Sequence, residues 1–211
     1  MTEALMLWTG VAVVLLMAAD WRNWRAARCV AKMMAATGFC GIAWSVGALE
    51  TVYGKWVIGA LALSWVGDLL LLWRHRKVFL GGIGAFLLAH IVFAGAFWVR
   101  GIHPGATALA LVGFTCVGVA VYRYLAPHLP AAMKWPVVLY IAAITCMTAG
   151  AVGTSMGFGN MSIAVGAVAF MASDIAVARD RFVVETFSNR LWGTPLYFCA
   201  QVVLALTPQI A

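Results

Sequence analysis

Leu63-Ser64-Trp65-Val66-Gly67-Asp68-Leu69-Leu70-Leu71-Leu72 is an apolar run that holds one carboxylate. A second run, Ala169-Phe170-Met171-Ala172-Ser173-Asp174-Ile175-Ala176-Val177-Ala178, repeats the pattern. Such runs decide the fold because they recur along the whole chain: of 211 residues, 64% are hydrophobic and only 10% are charged. That composition is the signature of an integral membrane protein. In hydrocarbon a charged side chain is costly, so each of the two aspartates marks a candidate functional position.

Outward from these two runs, apolar stretches between charged or turn-forming residues give eight candidate spans. They cover about residues 4–19, 29–49, 56–73, 80–99, 105–125, 134–154, 159–179 and 194–210, each near the ~20 residues that cross a bilayer. Backbone groups in lipid pair within their own segment, and the runs lack the alternating polar face of a membrane barrel. The expected fold class is therefore all-α, a polytopic bundle of about eight transmembrane helices. Connections are short, so residues 1–211 are read as a single integral-membrane domain. Pro104, Pro136 and Pro195 are each expected at the start of a span, where a missing N–H costs little.

Lys and Arg set the orientation. Arg22, Arg25, Arg28, Arg74, Arg76, Lys77, Arg123, Lys134, Arg179, Arg181 and Arg190 lie in or beside odd-numbered loops, against Lys55 and Arg100 in the even ones. The positive-inside rule then places the odd loops in the cytoplasm and both termini outside, in a multi-pass protein of the cell membrane. The net charge of +7 follows from topology and attraction to anionic headgroups. Membrane lipid is the expected partner and nucleic acid is not. Met1-Thr2-Glu3 puts no positive charge ahead of the first apolar run, the reverse of a cleavable signal, so that run is kept as a helix.

Several features have a structural explanation. Cys29, Cys40, Cys116, Cys146 and Cys199 lack zinc or disulfide spacing and are expected as small apolar core residues. Gly81, Gly82 and Gly84, and the series Gly150, Gly153, Gly157 and Gly159, are expected to let helices approach closely. Trp8, Trp21, Trp24, Trp56, Trp73, Trp98, Trp135 and Trp192 lie near span ends, where amphipathic rings favour the interface.

Depth separates the remaining polar residues. Asp68 precedes Arg74 and Asp174 precedes Arg179 by similar intervals. At ~1.5 Å per residue both carboxyls stand roughly 8–9 Å above the cytoplasmic charge belt. Lys32, Tyr140, Tyr197 and Gln201 fall in the same leaflet, the last two in the first two turns of span eight, and His90 is expected ~10 Å deeper than Asp68. The outer halves hold few polar groups. A faint internal repeat joins Gly67-Asp68-Leu69 to Ser173-Asp174-Ile175 and Ala89-His90-Ile91-Val92 to Ala200-Gln201-Val202-Val203. An offset of four helices preserves direction, so the halves read as parallel four-helix repeats that bring the aspartates face to face across a cavity.

In order, these elements are Lys32 early in span two, the Gly67-Asp68 run, Ala89-His90 with Phe86 and Phe93, and Tyr140 opening span six. Gly166-Ala167-Val168-Ala169-Phe170-Met171-Ala172-Ser173-Asp174 and Tyr197-Phe198-Cys199-Ala200-Gln201 complete the series. From about Lys32 to Gln201 the chain resembles the YhhN-like lysoplasmalogenase family of eight-helix membrane proteins. It departs from that pattern at Met33, where many relatives are expected to carry proline. The resemblance implies hydrolysis of the vinyl ether bond of lysoplasmalogen to a fatty aldehyde and a glycerophospho-ethanolamine or -choline, with Asp68 and Asp174 as catalytic residues.

The chemistry fits two carboxyls. Vinyl ether cleavage begins with protonation of the alkene carbon beta to oxygen, giving an oxocarbenium-like cation to which water adds. The reaction wants one carboxylic acid and one carboxylate, a division that a shared apolar site favours. Which aspartate is which stays open at this stage. Lys32, His90, Tyr140, Ser173, Tyr197 and Gln201 are supporting or substrate-binding candidates; Lys32 either faces a carboxylate, binds phosphate or snorkels. No cofactor or metal is required. A proton-coupled transporter or channel and a structural protein joined by protonated aspartates are the alternatives. Polar groups confined to one leaflet favour the enzyme.

Overall fold

The computed structural model describes every residue except Arg74 and Ala211. The expectations that used Arg74, as a basic loop residue and as the depth marker for Asp68, lie outside the described residues. Eight α-helices follow in order: α1 Thr2–Trp21, α2 Arg25–Ser45, α3 Val52–Leu70, α4 Arg76–Arg100, α5 Pro104–Leu125, α6 Ala131–Phe158, α7 Ser162–Phe182 and α8 Phe187–Leu206. No strand occurs among the described residues. Six helices, α1 and α4 to α8, are long and apolar enough to cross a membrane. In α2, Arg25, Arg28 and Lys32 dilute the apolar pattern, as Lys55 and Asp68 do in α3. The protein is a polytopic membrane bundle in which these two less apolar helices pack against their more apolar neighbours.

Helix ends differ from the sequence expectation where polar residues continue a helix or glycine stops one. α2 ends at Ser45, not 49, as the chain turns through Gly47 at φ +78°. α3 then begins early, at Val52, because the Thr51 hydroxyl accepts a hydrogen bond from the Gly54 N–H at 3.0 Å. α8 begins at Phe187, not 194: the Thr186 hydroxyl accepts from the Asn189 N–H at 3.3 Å and caps a polar extension of the apolar run. Pro195 therefore lies inside α8, and Pro136 inside α6; of the three prolines only Pro104 opens its helix. Tyr197 and Gln201 accordingly sit in the third and later turns of α8, not the first two.

The core is aromatic at its centre. Phe39, Phe93, Phe97, Phe170 and Phe198 are fully buried, and Tyr197 joins them edge-on, 5.5 Å from Phe170 and 4.9 Å from Phe198 between ring centroids. All eight tryptophans expected at span ends are exposed. The cysteines correct an expectation: Cys116, Cys146 and Cys199 face outward and Cys29 and Cys40 are half-buried. A small apolar side chain is as acceptable against lipid as in the core, so composition does not separate the two.

Helix packing follows an offset of four. α1 on α2 matches α5 on α6, α3 on α4 matches α7 on α8, and α4 on α6 matches α8 on α2. Two glycines show the same offset at atomic scale. A Cβ on Gly82 of α4 would stand 3.4 Å from the Gly67 carbonyl, and one on Gly193 of α8 would stand 3.6 Å from the Ser173 carbonyl. Each glycine thus seats its helix against the backbone just ahead of an aspartate. Gly84, by contrast, faces open space, and Gly159 ends α6 at φ +69° without close packing. Gly193→Leu should therefore drive a side chain into Ala176 and lower stability by about 1–3 kcal/mol, read as a fall in the unfolding midpoint in detergent. Gly84→Leu should leave that midpoint where it is.

Candidate active site

Asp68 is 2% exposed, on the inward face of α3. The Tyr197 hydroxyl of α8 donates to its Oδ2 at 2.7 Å, and the Lys32 ammonium of α2 lies 3.0 Å from its Oδ1. Asp174, on α7, receives a hydrogen bond at Oδ2 from the Tyr140 hydroxyl of α6 at 2.8 Å. His90 Nε2 of α4 stands 3.5 Å from the same oxygen. Each aspartate is thus met by the preceding helix of its own half and by the last helix of the other half.

The two environments differ in charge and access. Asp68 has a cation against it, in a charge-assisted contact at 3.0 Å. Asp174 has a phenol and an imidazole packed at ring distances of 5.0 Å from Tyr140 and 4.7 Å from Phe170. Its side chain is 17% exposed against 2% for Asp68, so Asp174 is the carboxyl that reaches furthest into open space.

His90 corrects the depth expectation, because it stands beside Asp174 and not a further ~10 Å into the bilayer. Counting from helix ends failed because the start of α4 reaches well below the site: the Arg181 guanidinium lies over Phe79, 3.9 Å from the ring centre. With those two residues level, His90 and Asp174 differ by only ~6 Å along their axes, a gap that the two side chains close. Gln201, one turn beyond Tyr197, is close to the Tyr197 hydroxyl. Both Gln201 and His90 are 0% exposed, and none of their side-chain polar atoms makes a hydrogen bond of good geometry among the described residues. The Ser173 hydroxyl donates to the Phe170 carbonyl of its own helix at 2.7 Å and stays outside the cavity. No cluster of three His, Cys, Asp or Glu side chains fit to hold a metal occurs among the described residues.

Lys32, Asp68, Tyr140, Asp174 and Tyr197 line the inner part of a cavity of about 470 Å³. It opens at the arginine-rich end, where Arg190 ties three helices and a loop together. Its Nε lies 3.2 Å from Asp180 Oδ2, it pairs with Glu185, and its Nη1 is 4.0 Å from Asp20 Oδ1, which Arg28 meets at 3.4 Å. In the sequence Arg28 and Arg190 register as topology signals alone. Asp20, Asp180 and Glu185 at the same level were the available sign that these arginines are paired at a mouth. At the opposite end Tyr53 donates to Thr207 at 2.7 Å and the Arg100 guanidinium stacks on Tyr53 and Phe158. That polar group, set at helix ends, was not expected.

Fold and site together define a membrane-embedded helical bundle with two aspartates facing one cavity. The chain belongs to the YhhN family, whose model matches residues 27–207. It is similar to Lysoplasmalogenase TMEM86A of Bos taurus, at 30% identity over 155 residues, 70% of this chain and 62% of that protein. Lysoplasmalogenase TMEM86B of Mus musculus is 34% identical over 153 residues, 72% of this chain and 63% of its own length. A lysoplasmalogenase of Mycobacterium tuberculosis is 35% identical over 161 residues, 71% of this chain and 59% of its own length. The chain thus spans less than two thirds of the length of these relatives. No solved structure matches it.

Proposed function

We propose that this protein is a lysoplasmalogenase-type ether hydrolase in which Asp174 is the general acid and Asp68 the resident carboxylate. The observation that carries the reading is the unequal pairing of two aspartates in one cavity: Lys32 holds Asp68 at 3.0 Å, while Asp174 has no Lys or Arg against it among the described residues and has the greater exposure. Asp174 gives its proton to the alkene carbon beta to the ether oxygen, and the electron pair of that bond makes the new C–H bond. The adjacent carbon becomes an oxocarbenium, whose charge the Asp68 carboxylate opposes. Water adds to that carbon and returns a proton to Asp174. The hemiacetal then collapses to a fatty aldehyde and the glycerophospho-ethanolamine or -choline alcohol.

The supporting residues take distinct parts. Tyr197 and Tyr140 orient one carboxyl each, and Lys32 sets its positive charge against Asp68. His90 and Gln201, behind the carboxyls, act as positioning residues. The arginine-rich end faces the cytoplasm, both termini lie outside, and the whole chain serves as one domain, so a lysophospholipid enters from the cytoplasmic leaflet. Fully buried Phe93, Phe97, Phe170 and Phe198 fill the bundle centre, which supports hydrolysis over a proton path through the membrane.

The test is aldehyde release from lysoplasmalogen by the purified protein in heavy water. The aldehyde is expected in equal amount to the glycerophospho product and with one deuterium on the carbon next to the carbonyl. An ester-linked lysophospholipid should give none. A folded protein that releases no aldehyde, or aldehyde without that deuterium, overturns the assignment.

A further inference from the structure

The largest break in the offset-of-four packing lies at α5. α1 closes on α8, where Trp21 meets Phe187 edge-on at 4.9 Å and Asp20 approaches Arg190. Its counterpart α5 does not close on α4 in the same way: the two backbones scarcely approach, and Gly118 and Leu125 are the buried residues of α5. α4 reaches α5 through side chains at the arginine-rich end, where Phe79 and Ile83 join one apolar cluster with Val121 and Leu125. The resulting gap is continuous with the cavity. Phe79 and Ile83 form one wall, Val117 and Val121 the other, and Ile141 and Thr145 of α6 the floor.

We propose that this groove between α4 and α5 holds the hydrocarbon chain of a single-chain phospholipid whose headgroup stays at the charged mouth. Polarity within the one cavity is segregated accordingly. The charged lining comes from α1, α2, α3, α7, α8 and the loop before α8, with Arg181 reaching over Phe79 at the boundary, whereas α4, α5 and α6 contribute no charged side chain to the cavity among the described residues. The reacting carboxyl stands at the boundary, since Tyr140, bonded to Asp174, directly precedes Ile141 on the groove floor. Thr145 is a further ~7.5 Å along α6, so the floor leads away from the mouth. Val117 lines the groove and keeps 40% of its surface exposed, so a chain lying along α5 meets it directly. Placing the vinyl ether at the aspartates rests on the hydrolase reading; occupancy of the groove does not.

The experiment uses a lysophosphatidylethanolamine bearing a diazirine in the first half of its chain, with the intact protein in nanodiscs. Label that excess unmodified lysophosphatidylethanolamine competes away is expected on residues 117–121 and 141–145. Competable label on α1 or α2 overturns the proposal. Val117→Trp fills the groove from an exposed position, so the fold should survive. It should cut the competable label and raise KM for long-chain vinyl ethers by about tenfold, as expected when two buried methylenes are displaced, while a butenyl substrate keeps its KM. Leu109→Trp, on the outward face of α5 and outside the cavity, should change neither. Equal KM effects on both chain lengths overturn the groove assignment. Competable groove label with no aldehyde from any chain length leaves the groove standing and removes the hydrolase reading.

Discussion

Asp174→Asn is expected to release fatty aldehyde about 10²–10⁴-fold more slowly than the parent and to bind lysoplasmalogen with unchanged affinity. The amide keeps the size of the carboxyl and still accepts the Tyr140 hydroxyl, but it has no proton to give to carbon. Asp68→Asn should also lose aldehyde release for a different reason, because it removes the negative charge opposite the oxocarbenium. A lysolipid analogue that carries a permanent cation in place of the vinyl ether separates the two roles. It should bind the parent and Asp174→Asn alike and bind Asp68→Asn at least about tenfold more weakly. If the cation mimic loses affinity in Asp174→Asn and keeps it in Asp68→Asn, the roles are reversed. If aldehyde release survives in both variants, neither carboxyl is catalytic.

The side chains that meet in the cavity are visible in the sequence for a physical reason. A carboxylate, a lysine or a tyrosine amid apolar helix stands out against a solvent that excludes it, and Lys32, Asp68, Tyr140, Asp174 and Tyr197 all do so. Their partnerships are not visible. The repeat suggests that the aspartates face each other, yet nothing in the spacing tells that Tyr197 of α8 serves Asp68, or that His90 of α4 serves Asp174. Those pairings come from the crossing of the two halves. Helix starts were misread where the first turns are polar, as in α8, whose Thr186 cap lies well before the apolar run. The open side of the bundle is equally silent, because α5 is apolar all round and reads like any packed span whether or not α4 lies against it.

Lys32→Met is expected to be the most destabilising single substitution among the cavity residues. It leaves the Asp68 carboxyl, 2% exposed, without its cation, and breaking a buried ion pair typically costs about 3–5 kcal/mol. Lys32 itself is 20% exposed along its side chain, so solvent screens part of that and the lower end of the range applies. Asp68 then either takes up a proton, which removes the carboxylate that faces the oxocarbenium, or draws in water, which screens it. The double variant Lys32→Met/Asp68→Asn separates stability from chemistry. With no charge left to bury, its unfolding midpoint should return most of the way to that of the parent, since a neutral amide still accepts the Tyr197 hydroxyl. Aldehyde release should stay as low as in Asp68→Asn alone. A midpoint that falls further in the double variant would mean that Lys32 stabilises the bundle through its aliphatic stem. A double variant with parental activity would mean that the ion pair is structural and that the cation is stabilised by other groups.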